Sequence, residues 1–304
     1  MTSTGVSQIR RALAVPALIA MAAMASAGVQ AANPERWQLN MGKGVTQTAR
    51  EVHDIHMIML WICVVIGIVV FGAMFYAMFR FRKSKGAVAQ TWSHSTKLEV
   101  AWTVIPILIL IGAAWPATTL LLRMVDTSES EMTVKVTGYQ WKWRYEYVDY
   151  YGRNPGINFM SSLEQQSNRV RQLRSGLDPR SVKADDYESY LLDVDNPLVL
   201  PVGVKVRFVV TADDVIHAWW VPALGWKQDA IPGIINSAWT RVDEPGVYRG
   251  QCAELCGKDH GFMPIVVKVV PKAEFEQWMT ERAPAAPEAD ATAHAIVPTT
   301  APQG

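Results

Sequence analysis

Two thiols, an imidazole and a thioether fall within twelve residues of one segment. They are Cys252, Cys256, His260 and Met263, in the run QCAELCGKDHGFMP over 251–264. A second imidazole, His217, follows Asp213, Asp214, Val215 and Ile216. Three plain readings compete. A disulfide in an oxidising compartment would use the cysteines but neither histidine nor the methionine. A structural zinc site would use two Cys and two His but has no need of Met263. Ordinary surface histidines would leave the whole pattern unused. Copper uses the full set, because soft thiolates and thioethers suit it and imidazole completes the shell. A blue-copper site needs one Cys, two His and a weak axial Met for a single ion. The extra thiol here allows two ions bridged by two thiolates, each with one terminal histidine. Sharing an electron across such a pair favours electron transfer over catalysis at the site.

These ligands need a rigid frame, and the surrounding pattern is that of strands. Val204–Val210 alternates cleanly, and Ile265–Val270 is an apolar run short enough for a buried strand. Thr133–Tyr147 also alternates but changes parity near Gly138, which predicts a bulge there. Turn signals at Pro201/Gly203, Pro232–Gly233 and Pro245–Gly246 separate the runs. A small antiparallel sandwich or barrel over 131–272 is expected, with the ligand loop between two strands at one end. The polar stretch 157–190, with Arg169, Arg171 and Arg174 at helical spacing, reads as an excursion from it. The remainder, 273–304, is expected to be a largely disordered tail, rich in Ala, Pro and Thr beyond Pro284. The pattern contains no internal repeat.

The N-terminal part belongs to a membrane. Of 304 residues 50% are hydrophobic, and they concentrate there. Met57–Phe79 and Val100–Leu122 carry no charge, and about 20 helical residues cross a hydrocarbon core. Helices are therefore expected at 56–79 and 99–123, with Pro106 and Pro116 tolerated if a neighbouring helix supports the second. Arg80, Arg82, Lys83 and Lys85 put the connection, 80–98, in the cytoplasm. Both outer ends, 32–55 and everything after the second span, then face the periplasm. Arg10, Arg11 and the Ala-rich run to Ala27, with small residues near Ala31, read as a secretory signal over 1–31. Cys63 lies within a span and acts as a small hydrophobe. Net charge is +1 without a clustered Lys/Arg patch, so a nucleic-acid partner is not expected.

His217, Cys252, Glu254, Cys256, His260 and Met263 together resemble the dinuclear copper A (CuA) motif of cytochrome c oxidase subunit II. The resemblance runs from about Met41 to Trp278 and implies a two-helix hairpin followed by an all-β, cupredoxin-like periplasmic domain. It implies that Cys252 and Cys256 bridge two coppers, that His217 and Met263 complete one ion, and that His260 and the Glu254 carbonyl complete the other. The Glu254 side chain would help bind magnesium shared with subunit I. In the aromatic run Tyr139–Tyr147, most rings are expected to fill the core. The family places electron entry from cytochrome c at the position of Trp141. Asp214 and Glu146 could steer a basic cytochrome, or be ordinary solvated charges. Glu99, at the start of the second span, matches the mouth of a proton-uptake path into subunit I, and would equally serve as a helix-start carboxylate.

The resemblance thus implies an electron-transfer subunit in a bacterial inner membrane, packed on subunits I and III. It would take electrons from cytochrome c and pass them to haem for reduction of oxygen to water coupled to proton translocation. A copper-holding assembly module is the competing class. A quinol-oxidase type would lack these ligands, and a nitrous oxide reductase would lack the two spans and the Glu99 segment. The excursion is longer than in the shortest family members, and with no Cys-x-x-Cys-His after the copper domain a fused haem c is not expected.

Overall fold

The computed structural model describes residues 30–32, 37–42, 44–171, 176–178, 181, 183, 187 and 189–283. The expected signal peptide therefore lies outside the described residues, apart from Gln30 and Ala31. With Ala32 these form a short strand, β1 (Gln30–Ala32).

Helix α1 (Gln47–Arg80) and helix α2 (Thr96–Val125) are both long and apolar enough to cross a membrane. Both exceed the apolar runs. At 1.5 Å per residue, the 34 residues of α1 span about 51 Å and the 30 of α2 about 45 Å, against a core of about 30 Å. The surplus turns of α1 lie at its start, where capping sets the boundary. Thr46 Oγ1 accepts from the Ala49 amide at 2.9 Å and donates to the Leu224 carbonyl at 2.9 Å. Val45 N–H donates to the Ala223 carbonyl, and Gly225, at φ +84°, lies so close that a Cβ there would reach the Ala49 backbone. The carbonyl of Arg123, near the end of α2, accepts from Trp239 Nε1. Both helices are thus bolted to the domain that follows.

That domain is a two-sheet β-sandwich. One sheet has β4 (Asn158–Ser161), β3 (Lys142–Tyr150), β2 (Met132–Tyr139), β6 (Val206–Ala212) and β9 (Asn236–Thr240), in that order. The other has β5 (Leu198–Pro201), β11 (Pro264–Val270), β10 (Gly246–Cys252), β7 (His217–Val221) and β8 (Trp226–Ala230), with β1 beside β10. It is not wholly antiparallel as expected: β2 pairs β6, β5 pairs β11 and β1 pairs β10 in parallel. Side chains alternate inward along β6, and Phe208, Trp219 and Trp226 pack together in the core with ring centroids 5.0–5.3 Å apart.

Three further expectations are corrected. Thr133–Tyr147 is a hairpin rather than one bulged strand. The chain reverses at Gln140–Trp141, whose peptide is cis, and this reversal changes the parity. The bulge lies at the far end, where Thr133 pairs Asp149 but Val134 pairs Tyr147. The excursion begins later than 157: Ile157 is buried, and β4 is a sheet member paired with β3. It closes through the bridge Leu163–Val194 and contains helix α3 (Gln165–Val170), capped by the Glu164 carboxylate. The tail starts with order, because helix α4 (Lys272–Arg282) buries Phe275 against Tyr147 and Tyr150. Residues 284–304 lie outside the described residues.

Candidate metal centre

The ends of three strands bring the ligand types together. His217 opens β7, Cys252 closes β10, and Met263 stands one residue before β11. Sheet pairing fixes these ends, with Cys252 beside Trp219 and Gln251 beside Pro264 and Trp220. Cys256 and His260 lie on the intervening loop, whose last turn is a 3₁₀ segment, His260–Phe262.

The donor atoms converge. Cys252 Sγ and Cys256 Sγ are 3.8 Å apart, and both thiols are free. His217 Nδ1 lies 3.9 Å from Cys252 Sγ, and His260 Nδ1 lies 3.5 Å from Cys256 Sγ. Met263 Sδ is 3.4 Å from Cys256 Sγ. His217 and Met263 are fully buried, the two cysteines nearly so, and His260 is half-buried. The donor atoms of His217, Cys252 and Cys256 fit within 4.8 Å of one another. The sulfur separation is shorter than twice a metal–thiolate bond of about 2.3 Å, so one ion can touch both. The residues present therefore fit a copper site, with soft donors in a closed, largely apolar pocket.

Outer contacts aim the ligands. Asp214 accepts from the amides of Gln140 (2.7 Å) and Val215 (2.6 Å), and its Oδ1 lies 3.0 Å from His217 Nε2. With Nε2–H donating to this carboxylate, the Nδ1 lone pair faces the thiols, the tautomer a metal ligand needs. Burial opposes charge on Asp214. The His217 ring and the two amides outweigh it and hold the carboxyl below its usual range. On His217, burial is likewise outweighed by Cys252 and Asp214, which raise its pKa. The thiols diverge. Burial opposes ionisation of Cys252, but its contacts with His217 and with neighbouring backbone pull it down. Burial and the charge of Cys252 push Cys256 up to about 12. Two adjacent thiolates are thus costly unless a cation sits between them.

Gly138 makes room for the ring, since a Cβ there would lie 2.8 Å from His217 Cδ2. Trp143 packs edge-on to the same ring at 5.8 Å. Trp141 sits at the hairpin turn, half-buried, and donates from Nε1 to the Cys256 carbonyl at 3.3 Å. Gln140 Nε2 donates to the same carbonyl at 2.9 Å. Three other aromatics of the run behave as core, since Trp143, Tyr145 and Tyr147 are buried, while Tyr139 is half-buried. The Glu254 side chain is exposed, while its carbonyl lies 3.4 Å from Cys252 Sγ. Glu99 is not near the cluster. It stands in the first turn of α2, at the helix's opposite end, and accepts from the Ser95 amide. Glu146 is engaged by Lys135 and Arg144, so neither it nor Asp214 is an unattached surface charge. The orienting roles of Gly138, Gln140 and Asp214 were missed from the sequence. Only the Asp-x-x-His spacing of Asp214 and His217 offered a signal.

Comparison with known proteins agrees with this geometry. Residues 34–120 match the family model "Cytochrome C oxidase subunit II, transmembrane domain", and 132–270 match "Cytochrome C oxidase subunit II, periplasmic domain". A probable cytochrome c oxidase subunit 2 of Rickettsia felis is 39% identical over 252 residues, covering 83% of this chain and 74% of that one. Cytochrome c oxidase subunit 2 of Cereibacter sphaeroides is 36% identical over 236 residues, covering 77% and 76%. The crystal structure of the periplasmic domain of subunit II of cytochrome oxidase from Bradyrhizobium japonicum is 41% identical. It covers 52% of this chain and 96% of that one, with a TM-score of 0.41. Two membrane-length helices, a sandwich carrying clustered soft ligands, and relatives matched across most of their length have one meaning: this chain belongs to the cytochrome c oxidase subunit II family, a membrane component of haem–copper terminal oxidases.

Proposed function

We propose that this chain is the electron-entry subunit of its oxidase, holding a dinuclear copper A centre. The thiolates of Cys252 and Cys256 would be shared between the ions, His217 and Met263 would serve one, and His260 with the Glu254 carbonyl would serve the other. The observation that carries this reading is the convergence of two free thiols, a fully buried thioether and two imidazoles at one sandwich end. A zinc site would leave Met263 Sδ, aimed into the cluster, without a role. The copper pair supplies a one-electron store.

The chain's own residues set the path and the environment. Cytochrome c docks over the Gln140–Trp141 turn, and the electron enters at Trp141. The indole N–H bond to the Cys256 carbonyl makes a short covalent and hydrogen-bonded route to a bridging sulfur. Asp214 keeps the His217 tautomer fixed, so little rearrangement accompanies each change of charge. The Glu254 side chain is exposed and would help hold magnesium at the subunit I boundary. The haem acceptor and oxygen chemistry reside on subunit I, with subunit III alongside. The basic segment after α1 faces the cytoplasm, which puts the sandwich in the periplasm of a bacterial inner membrane and Glu99 at a proton entrance to subunit I. The discriminating experiment is stopped-flow oxidation of reduced cytochrome c by the intact complex. Trp141→Phe removes the N–H donor and is expected to slow entry at least tenfold while leaving the copper absorption unchanged. Unaltered entry kinetics would remove Trp141 from the path.

A further inference from the structure

We infer that the two ends of the polar excursion between β4 and β5, residues 162–171 and 189–195, clamp the metal loop, and that Arg171 positions His260 through Asp259. The bearing on the metal rests on the copper reading above, but the grip on the loop does not.

The excursion is tied at its base. The Ser162 amide donates to Asp195 Oδ1 at 2.8 Å, and the Glu164 amide donates to the Asp193 carbonyl at 2.9 Å. From this base it reaches the ligand segment at three residues, each adjacent or close to a ligand. Asp193 Oδ1 accepts from Arg249 Nε at 3.0 Å and Nη2 at 2.7 Å. The Leu191 carbonyl accepts from Gln251 Nε2 at 3.3 Å, one residue before Cys252. Arg171, directly after α3, meets Asp259 one residue before His260. The contact is two-pronged, Nη1 to Oδ1 at 3.2 Å and Nη2 to Oδ2 at 3.3 Å. Both side chains are only 13% exposed, and the guanidinium also lies 4.7 Å over the Phe262 ring. Phe262 and Asp259 belong to the same turn, because the Phe262 amide donates to the Asp259 carbonyl. These residues therefore grip the segment just before its first thiol and just before its imidazole.

The chemistry of the grip favours positioning over bulk stability. A two-pronged guanidinium–carboxylate pair fixes orientation as well as distance, which a lysine cannot do. A largely buried ion pair adds little net stability over an apolar pair, but loss of one partner strands the other charge. His260 is the half-buried member of the ligand set and sits on the loop, away from any strand end. It is the ligand with most need of outside support.

The test uses the full chain in detergent. In the metal-free chain, amide exchange at His260 and Phe262 is expected to speed at least tenfold in Arg171→Met, with β2 and β6 amides unaltered. In the copper-loaded chain, the same variant is expected to release metal to a chelator at least tenfold faster, with a shifted visible band. Arg171→Lys, which keeps the charge and loses the fork, restores neither, and it carries the comparison should Arg171→Met not fold. The double variant Arg171→Met/Asp259→Asn is expected to be no worse than Arg171→Met alone. Unchanged exchange at His260 and Phe262 overturns the clamp. Faster exchange with unchanged metal release and band overturns the positioning role. A parent chain that takes up no copper defeats the copper reading instead, while the exchange measurement still decides the grip.

Discussion

Replacing Gly138 by alanine tests how tightly the sandwich holds its first histidine. The new Cβ would stand 2.8 Å from His217 Cδ2, 3.0 Å from Cγ and 3.2 Å from Cβ. Carbon atoms seldom approach closer than about 3.4 Å, so ring or strand must retreat by about 0.6 Å. The ring has little freedom to do so. The ring also meets Trp143, the cross-strand partner of Gly138, and its Nε2 is held by Asp214, itself fixed by the amides of Gln140 and Val215. Overpacking of this kind costs about 1–3 kcal/mol. Loss of a ligand's outer orientation lowers metal affinity by about 10–100-fold. Gly138→Ala is therefore expected to weaken copper binding by that factor and to lower the melting temperature, read by chelator competition and thermal scans on the full chain. Gly261→Ala is the control, because a Cβ there meets nothing within 4 Å although it lies in the same loop. Copper affinity of Gly138→Ala within twofold of the parent would refute the claim that this glycine exists to seat the imidazole.

Two further outcomes follow from the same geometry. Copper affinity is expected to fall about tenfold per pH unit, or more steeply, as pH is lowered from 8 to 6. The Cys256 thiol, pushed up to about 12, must shed its proton to bind, and His217, also raised, must be neutral. A pH-independent chelator titration would contradict this. Thr46→Ala removes the cap of α1 and leaves the Leu224 carbonyl without its donor, a loss of about 2–3 kcal/mol, seen as a drop of several degrees in the melting of the detergent-solubilised chain. An unchanged transition would mean that this joint between helix and sandwich carries no load.

The membrane helices and the ligand loop were legible because their signals are local. Uncharged apolar runs imply spanning helices, and four donors within one loop need no knowledge of distant chain. The misplaced features depend on what lies across the fold. Gly138 looked like a bulge because nothing in its own strand says that His217 will lie against it. The parity change was real, but a tight reversal at Gln140–Trp141 and a bulge leave the same trace in alternation. Helix α4 reads as tail because its anchors, Phe275 and Trp278, are two aromatics in a polar stretch whose strand partners lie more than a hundred residues earlier. Arg171 was visible only as one basic residue among several, until the loop carrying Asp259 folded against it.

The central claim is that Cys252 and Cys256 act as a pair holding two copper ions in one shared electronic state. Copper content and electron paramagnetic resonance of the matured chain address it together. Two coppers per chain with a seven-line hyperfine pattern, from one unpaired electron shared equally by two nuclei, is the predicted result. One copper with a four-line pattern, or zinc in its place, would contradict it.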